Sequence, residues 1–519
     1  MNSNIKRIVI VGGGTAGWLS AGIIASEYYS KQNNFEFYLI ESPDIPTIGV
    51  GEGTWPSMRT TLQKIGISET DFLIHCNASF KQGTQFFNWT SGKDDSYSHP
   101  FTAPHLFNEK NLALHWQQLK RNIPFADAVC PQTHLFTNKQ APKNITTPEY
   151  AFNVNYGYHL DAAKFAELLR KHCVNNLGVT HISGNITAIN ASENGDIESI
   201  STDTDEVING DLFIDCSGSK ALLIGEHYKI PLKSKNMYLF NNSALAAQVP
   251  YETLEDPIQS CTLSTAQSAG WIWDIGLPTR RGIGHVYSSD YNSEDNATAE
   301  LLAYIKETAG QKAADMVSIR KIVFEPNHRE KFWHKNCVAI GMSAGFIEPL
   351  EASALVLVEL SAAMIAEQLP ANRQVMGIVA KRFNQKFNYR WDRIIDFLKL
   401  HYILTQRTDT DYWIDNCSAS SIPDSLQELI ELWHYQVPWH CDNYHIDEMF
   451  PSASFQYVLY GMGFETKVDS LLNRTNREVG IQAPSMFADN AMHARQLVAS
   501  MPTNRELINK IQKFGLQKI

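Results

Sequence analysis

Little in this 519-residue sequence points to disulfide, metal, nucleic-acid or membrane chemistry. Its eight cysteines are scattered singly, with no Cys-x-x-Cys pair and no cysteine-histidine cluster at zinc spacing. That usage argues against a disulfide framework and a structural metal, and it fits a reducing, cytoplasmic location. The 17 histidines form no His-Glu-x-x-His arrangement. A surplus of positive charge is missing too: the formal net charge is −11, which opposes binding to phosphate backbones. No run of Lys and Arg interleaved with aromatics appears, so nucleic acid is not an expected partner. The most apolar stretch, residues 344–369, is interrupted by Glu348, Glu351, Glu359 and Glu367. No membrane-spanning helix is therefore expected. The first apolar strand opens at Lys6, which leaves no room for a secretory signal before it. There is also no repeat, no low-complexity tract and no clean Pro/Gly/Ser linker, so the two or three packed units that this length allows are expected to share strands or be inserted in one another.

What is present begins at once. Residues 6–20 read Lys-Arg-Ile-Val-Ile-Val-Gly-Gly-Gly-Thr-Ala-Gly-Trp-Leu-Ser, a short apolar strand, three glycines on dinucleotide-binding spacing and an apolar helix start. In that reading Gly12 permits a tight turn, Gly14 lets the backbone reach a pyrophosphate and Gly17 lets the helix pack on the sheet, while Thr15 and Ala16 open the helix whose N-terminus holds the phosphates. A second strand, residues 35–40, ends in Glu41, an acid placed to accept a hydrogen bond from a ribose hydroxyl and to repel a 2′-phosphate. The pattern predicts FAD or NAD, and not NADP.

Further along, residues 81–155 read as irregular, an excursion rich in Pro, Asn, Thr and aromatics. Asp161 reads as the N-cap of a helix over 162–171. A buried strand then ends at Asp215, before a Cys216-Ser217-Gly218 turn. Residues 236–290 alternate polar and apolar, as antiparallel strands do. A late buried strand at 337–340 leads into a glycine-rich turn beginning at Gly341, and helices are expected over 355–369 and 375–404. The expected fold class is α/β: an FAD-binding Rossmann-like core with an antiparallel sheet insertion and a helical C-terminal cap. Its expected divisions are 1–100, 155–235 and 315–400 for the core, 236–314 for the strand-rich insertion, and 101–154 with 401–519 for a substrate-binding cap. A glycine turn first, a Cys-Ser-Gly turn in the middle and a glycine-rich turn late resemble the order in FAD-dependent aromatic hydroxylases, where distant segments meet on one flavin.

Three segments carry candidate chemistry. In Gly270-Trp271-Ile272-Trp273-Asp274-Ile275, Trp271, Trp273 and Ile275 share one strand face, either a bulky wall or an ordinary core face, and the pattern alone favours the core. Lys81 closes Asn77-Ala78-Ser79-Phe80-Lys81 in a helical pattern, where a lysine is ordinarily solvated and, if buried, becomes available as a nucleophile or hydrogen-bond donor. Finally, Phe346-Ile347-Glu348-Pro349-Leu350-Glu351 begins a helix with two acids that are costly to bury without partners, or that merely suit its positive end.

Taken with Gly51-Glu52-Gly53-Thr54-Trp55-Pro56, with the Gly12-x-Gly14-x-x-Gly17-Trp18 opening, and with Trp271, Trp273 and Ile275 followed by Arg281, Gly284, Tyr287 and Ser288, these segments resemble the flavin-dependent tryptophan halogenases over most of the chain. Gly276 stands where that family has proline. The resemblance implies FAD, used as FADH2, held by Gly12, Gly14, Thr15, Ala16, Gly17, Glu41, Gly51 and Gly341. A halide ion, chloride or bromide, is implied at Ser353 and Ala354. Catalysis falls on Lys81, in an Ala-Ser-Phe-Lys context, and on Glu351, in Glu-Pro-Leu-Glu. His99 and Phe101 match a His-Pro-Phe segment that sandwiches an indole, and with Phe450 and Ser454 they form the implied substrate site; Trp271, Trp273 and Ile275 form the implied tunnel wall. Hypohalous acid made at the flavin would pass that wall to Lys81. Reduced flavin would come from a separate NAD(P)H-dependent reductase, since no second nucleotide motif is found, and a homodimer is compatible with the family. The sequence departs from the family after Glu351, where Ala352-Ser353-Ala354 replaces Ser-Thr-Gly, and it lacks the paired tyrosines and acid that clamp free tryptophan. An FAD-dependent aromatic hydroxylase and a non-catalytic FAD-binding protein are the competing readings.

Overall fold

The computed structural model describes residues 4–29, 35–45, 51–119, 122–467 and 477–518. They form two units, each assembled from three stretches of chain: 1–78, 160–235 and 325–391 in the first, 79–159, 236–324 and 392–519 in the second.

The first unit is built on a six-stranded sheet ordered Trp333–His334, Cys337–Ala339, Leu212–Asp215, Arg7–Val11, Glu36–Glu41 and Val179–Ser183. All neighbours are parallel except the first pair. Ile8, Val9, Ile10, Leu212, Phe213, Ile214 and Val338 are fully buried, as a parallel sheet covered on both faces requires. The connection from the first strand to its parallel neighbour runs through helix Thr15–Tyr28, which packs against helices Ala162–Asn176 and Ser353–Glu367. Asp161 is the N-cap of the second of these, its carboxylate accepting from the Lys164 amide at 3.2 Å. The helix expected at 375–404 spans Arg373–Ile403. Among the described residues no helix is long and apolar enough to cross a membrane.

The second unit centres on a seven-stranded sheet ordered Ile319–Val323, Ser243–Pro250, Arg280–Tyr287, Gly270–Gly276, Thr262–Gln267, Gly83–Phe87 and Ser96–Pro100. Its one parallel pairing joins Thr262–Gln267 to Gly83–Phe87. That pairing corrects two expectations. Residues 81–155 are less irregular than their composition implies, and residues 79–100, expected in the cofactor core, lie with the strand-rich segment whose sheet they extend. Helix Glu294–Ala309 buries Ala297, Leu301 and Ile305 against Leu245, Ile272 and Ile283 of the sheet. Helices Ser452–Gly461 and Arg477–Ser500 bury Tyr457, Tyr460 and Phe487 with Trp116, Phe125 and Val129.

Candidate functional site

In the first unit a cavity of about 520 Å³ opens above the carboxyl ends of the parallel strands. Gly12, Gly14, Thr15, Ala16, Glu41, Gly341, Ser353 and Ala354 all line it, whereas Gly17 and Gly51 do not. Each glycine here answers a separate steric demand. Gly12 has φ +114°, and a Cβ on it would lie 2.2 Å from the Cys216 carbonyl oxygen. At Gly17 a Cβ would fall 1.8 Å from the Gly12 oxygen, so the helix reaches the turn only without a side chain. At Gly14, by contrast, a Cβ would meet nothing within 4 Å: the open side of this residue is the cavity itself. Gly14 is also the N-cap of helix Thr15–Tyr28 and supplies no side-chain cap, so the first-turn amides are left for a ligand. The Glu41 carboxylate lies against Gly13, where a Cβ would come 2.1 Å from Glu41 Cδ, and 3.0 Å from His181 Nε2. A glycine cradle, a helix N-terminus and a carboxylate at the next strand's end fit the adenosine diphosphate portion of FAD.

Two features of this cavity depend on packing. Burial pushes the Glu52 carboxyl up to about 7, so near neutrality the cavity wall carries an acid that is partly protonated. Phe383, Phe387 and Trp391, on the long helix, close one side of the cavity from far along the chain.

Glu351 does not begin a helix. It lies in a 3-10 turn, Leu350–Ala352, with φ +64°, and Ala352 follows at φ +55°; the α-helix starts only at Ser353. Two consecutive left-handed residues that are not glycine store strain, about 1–2 kcal/mol each. The Trp55 indole donates to the Glu351 carbonyl oxygen at 2.7 Å and helps hold the turn. Glu351 is buried. Ser353 and Ala354 are the first residues of a 15-residue helix, so their amides point out of its positive end, and the residue that needs left-handed freedom is Ala352 rather than Ala354.

In the second unit the expected helix at Lys81 is a strand. Helix Glu69–His75 ends before Asn77, which takes φ +47°, and Ser79–Lys81 then pairs antiparallel with Gly157–Asp161 in the register Ser79 with His159, Phe80 with Tyr158 and Lys81 with Gly157. Lys81 is 1% exposed, with its ammonium 5.4 Å from the centre of the Phe101 ring. His99, on Ser96–Pro100, is buried, shares a 2.9 Å hydrogen bond with Ser454 Oγ, and lies 6.5 Å ring to ring from Phe450 and 5.5 Å from Phe397. Lys81 with Phe101, and His99 with Ser454 and Phe450, thus gather around the Gly83–Phe87 and Ser96–Pro100 hairpin. Phe450 itself stacks on Phe397 at 3.8 Å.

Trp271 and Trp273, two residues apart on strand Gly270–Gly276, share one face, with ring centres 6.4 Å from each other. Trp271 is buried and packs toward Trp89 at 6.4 Å, while Trp273 lies over Gly284, where a Cβ would come 2.1 Å from the indole. Ile275, on the same side, is also buried. Among the described residues no group of three or more His, Cys, Asp or Glu is arranged to hold a metal ion.

Known proteins match this arrangement end to end. The family described as Tryptophan halogenase matches residues 7–477. Tryptophan 7-halogenase RebH of Lentzea aerocolonigenes is 31% identical over 100% of this chain and 96% of its own length, and tryptophan 6-halogenase ThaL of Streptomyces albogriseolus is 29% identical over 98% and 99%. Among solved structures, a tryptophan halogenase from Shewanella frigidimarina NCIMB 400 superposes with a TM-score of 0.95 at 49% identity, covering 100% of this chain and 99% of that one. BrvH, a flavin-dependent halogenase from Brevundimonas sp. BAL3, superposes at 0.85 with 30% identity over 98% and 99%. The fold is the Rossmann-like FAD-binding fold of these enzymes. The chain belongs to the tryptophan halogenase family: it is a flavin-dependent halogenase that works with FADH2 and halide.

Proposed function

We propose that this halogenase installs chloride or bromide on an electron-rich, indole-type ring, and that Lys81 delivers the halogen. The observation that carries this reading is the burial of Lys81 beside Phe101. A lysine without a task keeps its ammonium in water, and burying that charge costs several kcal/mol. Bound FADH2, with oxygen and halide, supplies hypohalous acid. Lys81 holds this species by hydrogen bonding or, as the neutral amine, takes its halogen to form a haloamine while the oxygen–halogen bond breaks and the oxygen leaves as water with the amine proton. Glu351, a buried acid fixed by a strained turn, is the group we assign to polarising the halogenating species or taking the proton from the ring.

The amides of Ser353 and Ala354, at a helix N-terminus that lines the flavin cavity, are the halide site in this reading. Gly12, Gly14, Thr15, Ala16, Glu41 and Gly341 hold the cofactor, with Gly17 and Gly51 supporting them. His99 and Phe101 grip the substrate ring; Ser454 sets the His99 plane and Phe450 adds an aromatic neighbour. Trp271, Trp273 and Ile275 wall the path of the oxidant. An NAD(P)H-dependent reductase is the expected partner, and a reducing, cytoplasmic location agrees with eight cysteines that are all free.

The test is bromination of indole by Lys81→Ala, supplied with FADH2, oxygen and bromide. Flavin binding and hydrogen peroxide release persist while bromoindole disappears. Unchanged bromination refutes the role of Lys81, and hydroxylated indole made by the unaltered enzyme without halide refutes halogen transfer as its reaction.

A further inference from the structure

One buried titratable side chain near Lys81 has no part in the chemistry so far. His159 is fully buried on Gly157–Asp161. Its Nε2 shares a 2.9 Å hydrogen bond with Thr262 Oγ1, and its Nδ1, also buried, has no hydrogen-bond partner. An orphaned buried polar atom is costly, and native structures hold few of them.

The strand register supplies one. Residues directly opposite in an antiparallel pair share a face, so Ser79, Lys81, Gly157 and His159 all lie on the same side. Lys81 and His159 are diagonal neighbours there, at a spacing of about 7–8 Å between Cα atoms that long side chains span. The residue directly opposite Lys81 is Gly157, which has no side chain to stand between them. The Lys81 charge is felt at the ring: burial first, and then this ammonium, hold His159 well below the usual histidine range. The imidazole is therefore neutral at physiological pH, with one nitrogen protonated and the other a lone-pair acceptor. Of the two tautomers, the one whose Nε2–H donates to Thr262 Oγ1 leaves Nδ1 as that acceptor, and that tautomer is the one assigned to His159.

We propose that His159 is a positioning residue for Lys81: anchored by Thr262, its neutral ring keeps Nδ1 unpaired in this structure and offers it as the acceptor when the Lys81 head group turns to deliver the halogen. This rests on the reading of Lys81 given above. A neutral acceptor suits the task, because it aligns an N–H without the ion pair by which a carboxylate would retain the proton.

Two isosteres separate the ring's nitrogens, since an Asn amide stands about where Nδ1 does and a Gln amide reaches the position of Nε2. The readout is bromoindole formed per FADH2 oxidised, with FAD binding and melting temperature as checks on the fold. His159→Gln keeps the Thr262 contact but lowers this yield about tenfold at an unchanged rate of flavin oxidation, whereas His159→Asn stays within about threefold of the unaltered enzyme. Wild-type yield in His159→Gln, or an equal loss in His159→Asn, overturns the proposal. Should His159→Gln fail the fold checks, Thr262→Val, which frees the ring, lowers the yield and Thr262→Ser restores it; no difference between these two overturns it as well. Lys81→Ala is run beside them: bromination by that variant refutes the reading of Lys81, while its silence together with normal His159→Gln yield refutes only the role of His159.

Discussion

Gly14 and Gly17 stand three residues apart in one motif, yet adding a methyl group to each has opposite consequences. At Gly17 the new Cβ would start 1.8 Å from the Gly12 carbonyl oxygen, so backbone must move by roughly 1 Å or more to reach an acceptable contact. Helix Thr15–Tyr28 is buried from Gly17 through Ala25 and cannot shift without disturbing its neighbours. Overpacking of this kind costs about 1–3 kcal/mol, and Gly17→Ala lowers the melting temperature of the enzyme even without flavin. Gly14 has φ −74°, which alanine adopts freely, and its Cβ would enter the open cavity. Gly14→Ala therefore melts within about 0.5 kcal/mol of the unaltered protein. Its penalty appears only with ligand, where the methyl displaces the pyrophosphate from the helix amides, and loss of one charge-assisted hydrogen bond, about 1.5–3 kcal/mol, weakens FAD binding about 10- to 100-fold. Flavin fluorescence titration and thermal melts of both variants measure the two effects separately. Undiminished FAD affinity in Gly14→Ala, with the fold intact, refutes the placement of the pyrophosphate at this helix.

Ala352, at φ +55°, is strained, so Ala352→Gly raises the urea midpoint by the equivalent of about 0.5–1 kcal/mol after allowing for the greater unfolded freedom of glycine. Burial pushes the Glu359 carboxyl up to about 7 even though Ser57 and Thr61 donate to it. A carboxyl raised in the folded state favours folding while protonated, so stability falls as pH rises from about 4.5 to 7; Glu359→Gln is more stable than the unaltered protein at pH 8, by up to about 3 kcal/mol, and gains little at pH 4, as urea unfolding at the two values reads. Cys417 and Cys441 are exposed and the other six cysteines buried, so iodoacetamide adds two labels to the native chain and eight to the denatured one, counted by intact mass.

The features legible in the sequence are those whose cause is local. The glycine turn, the Asp161 cap and the strand at Cys337–Ala339 are specified within a few residues, and each forms where its sequence pattern lies. The helical pattern around Lys81 does not decide its conformation, which is imposed from afar: a three-residue strand has no periodicity of its own, and this one exists through pairing with Gly157–Asp161. The Asn77 turn is the single local hint. The left-handed pair at Glu351 and Ala352 is equally silent, since neither residue type advertises positive φ. His159 carries no sequence signal, because the orphaned nitrogen that marks it is a property of packing.

The two-unit division has a bearing on how the polypeptide emerges from the ribosome. Neither unit is encoded contiguously: the first lacks its strand at Cys337–Ala339 until two thirds of the chain is made, and the second is not complete before the final helix, Asn504–Phe514. Between the making of Leu212–Asp215 and that of Cys337–Ala339, roughly a quarter of this sequence, the apolar edge has no strand beside it, a window in which the nascent chain is open to aggregation and is served by chaperones.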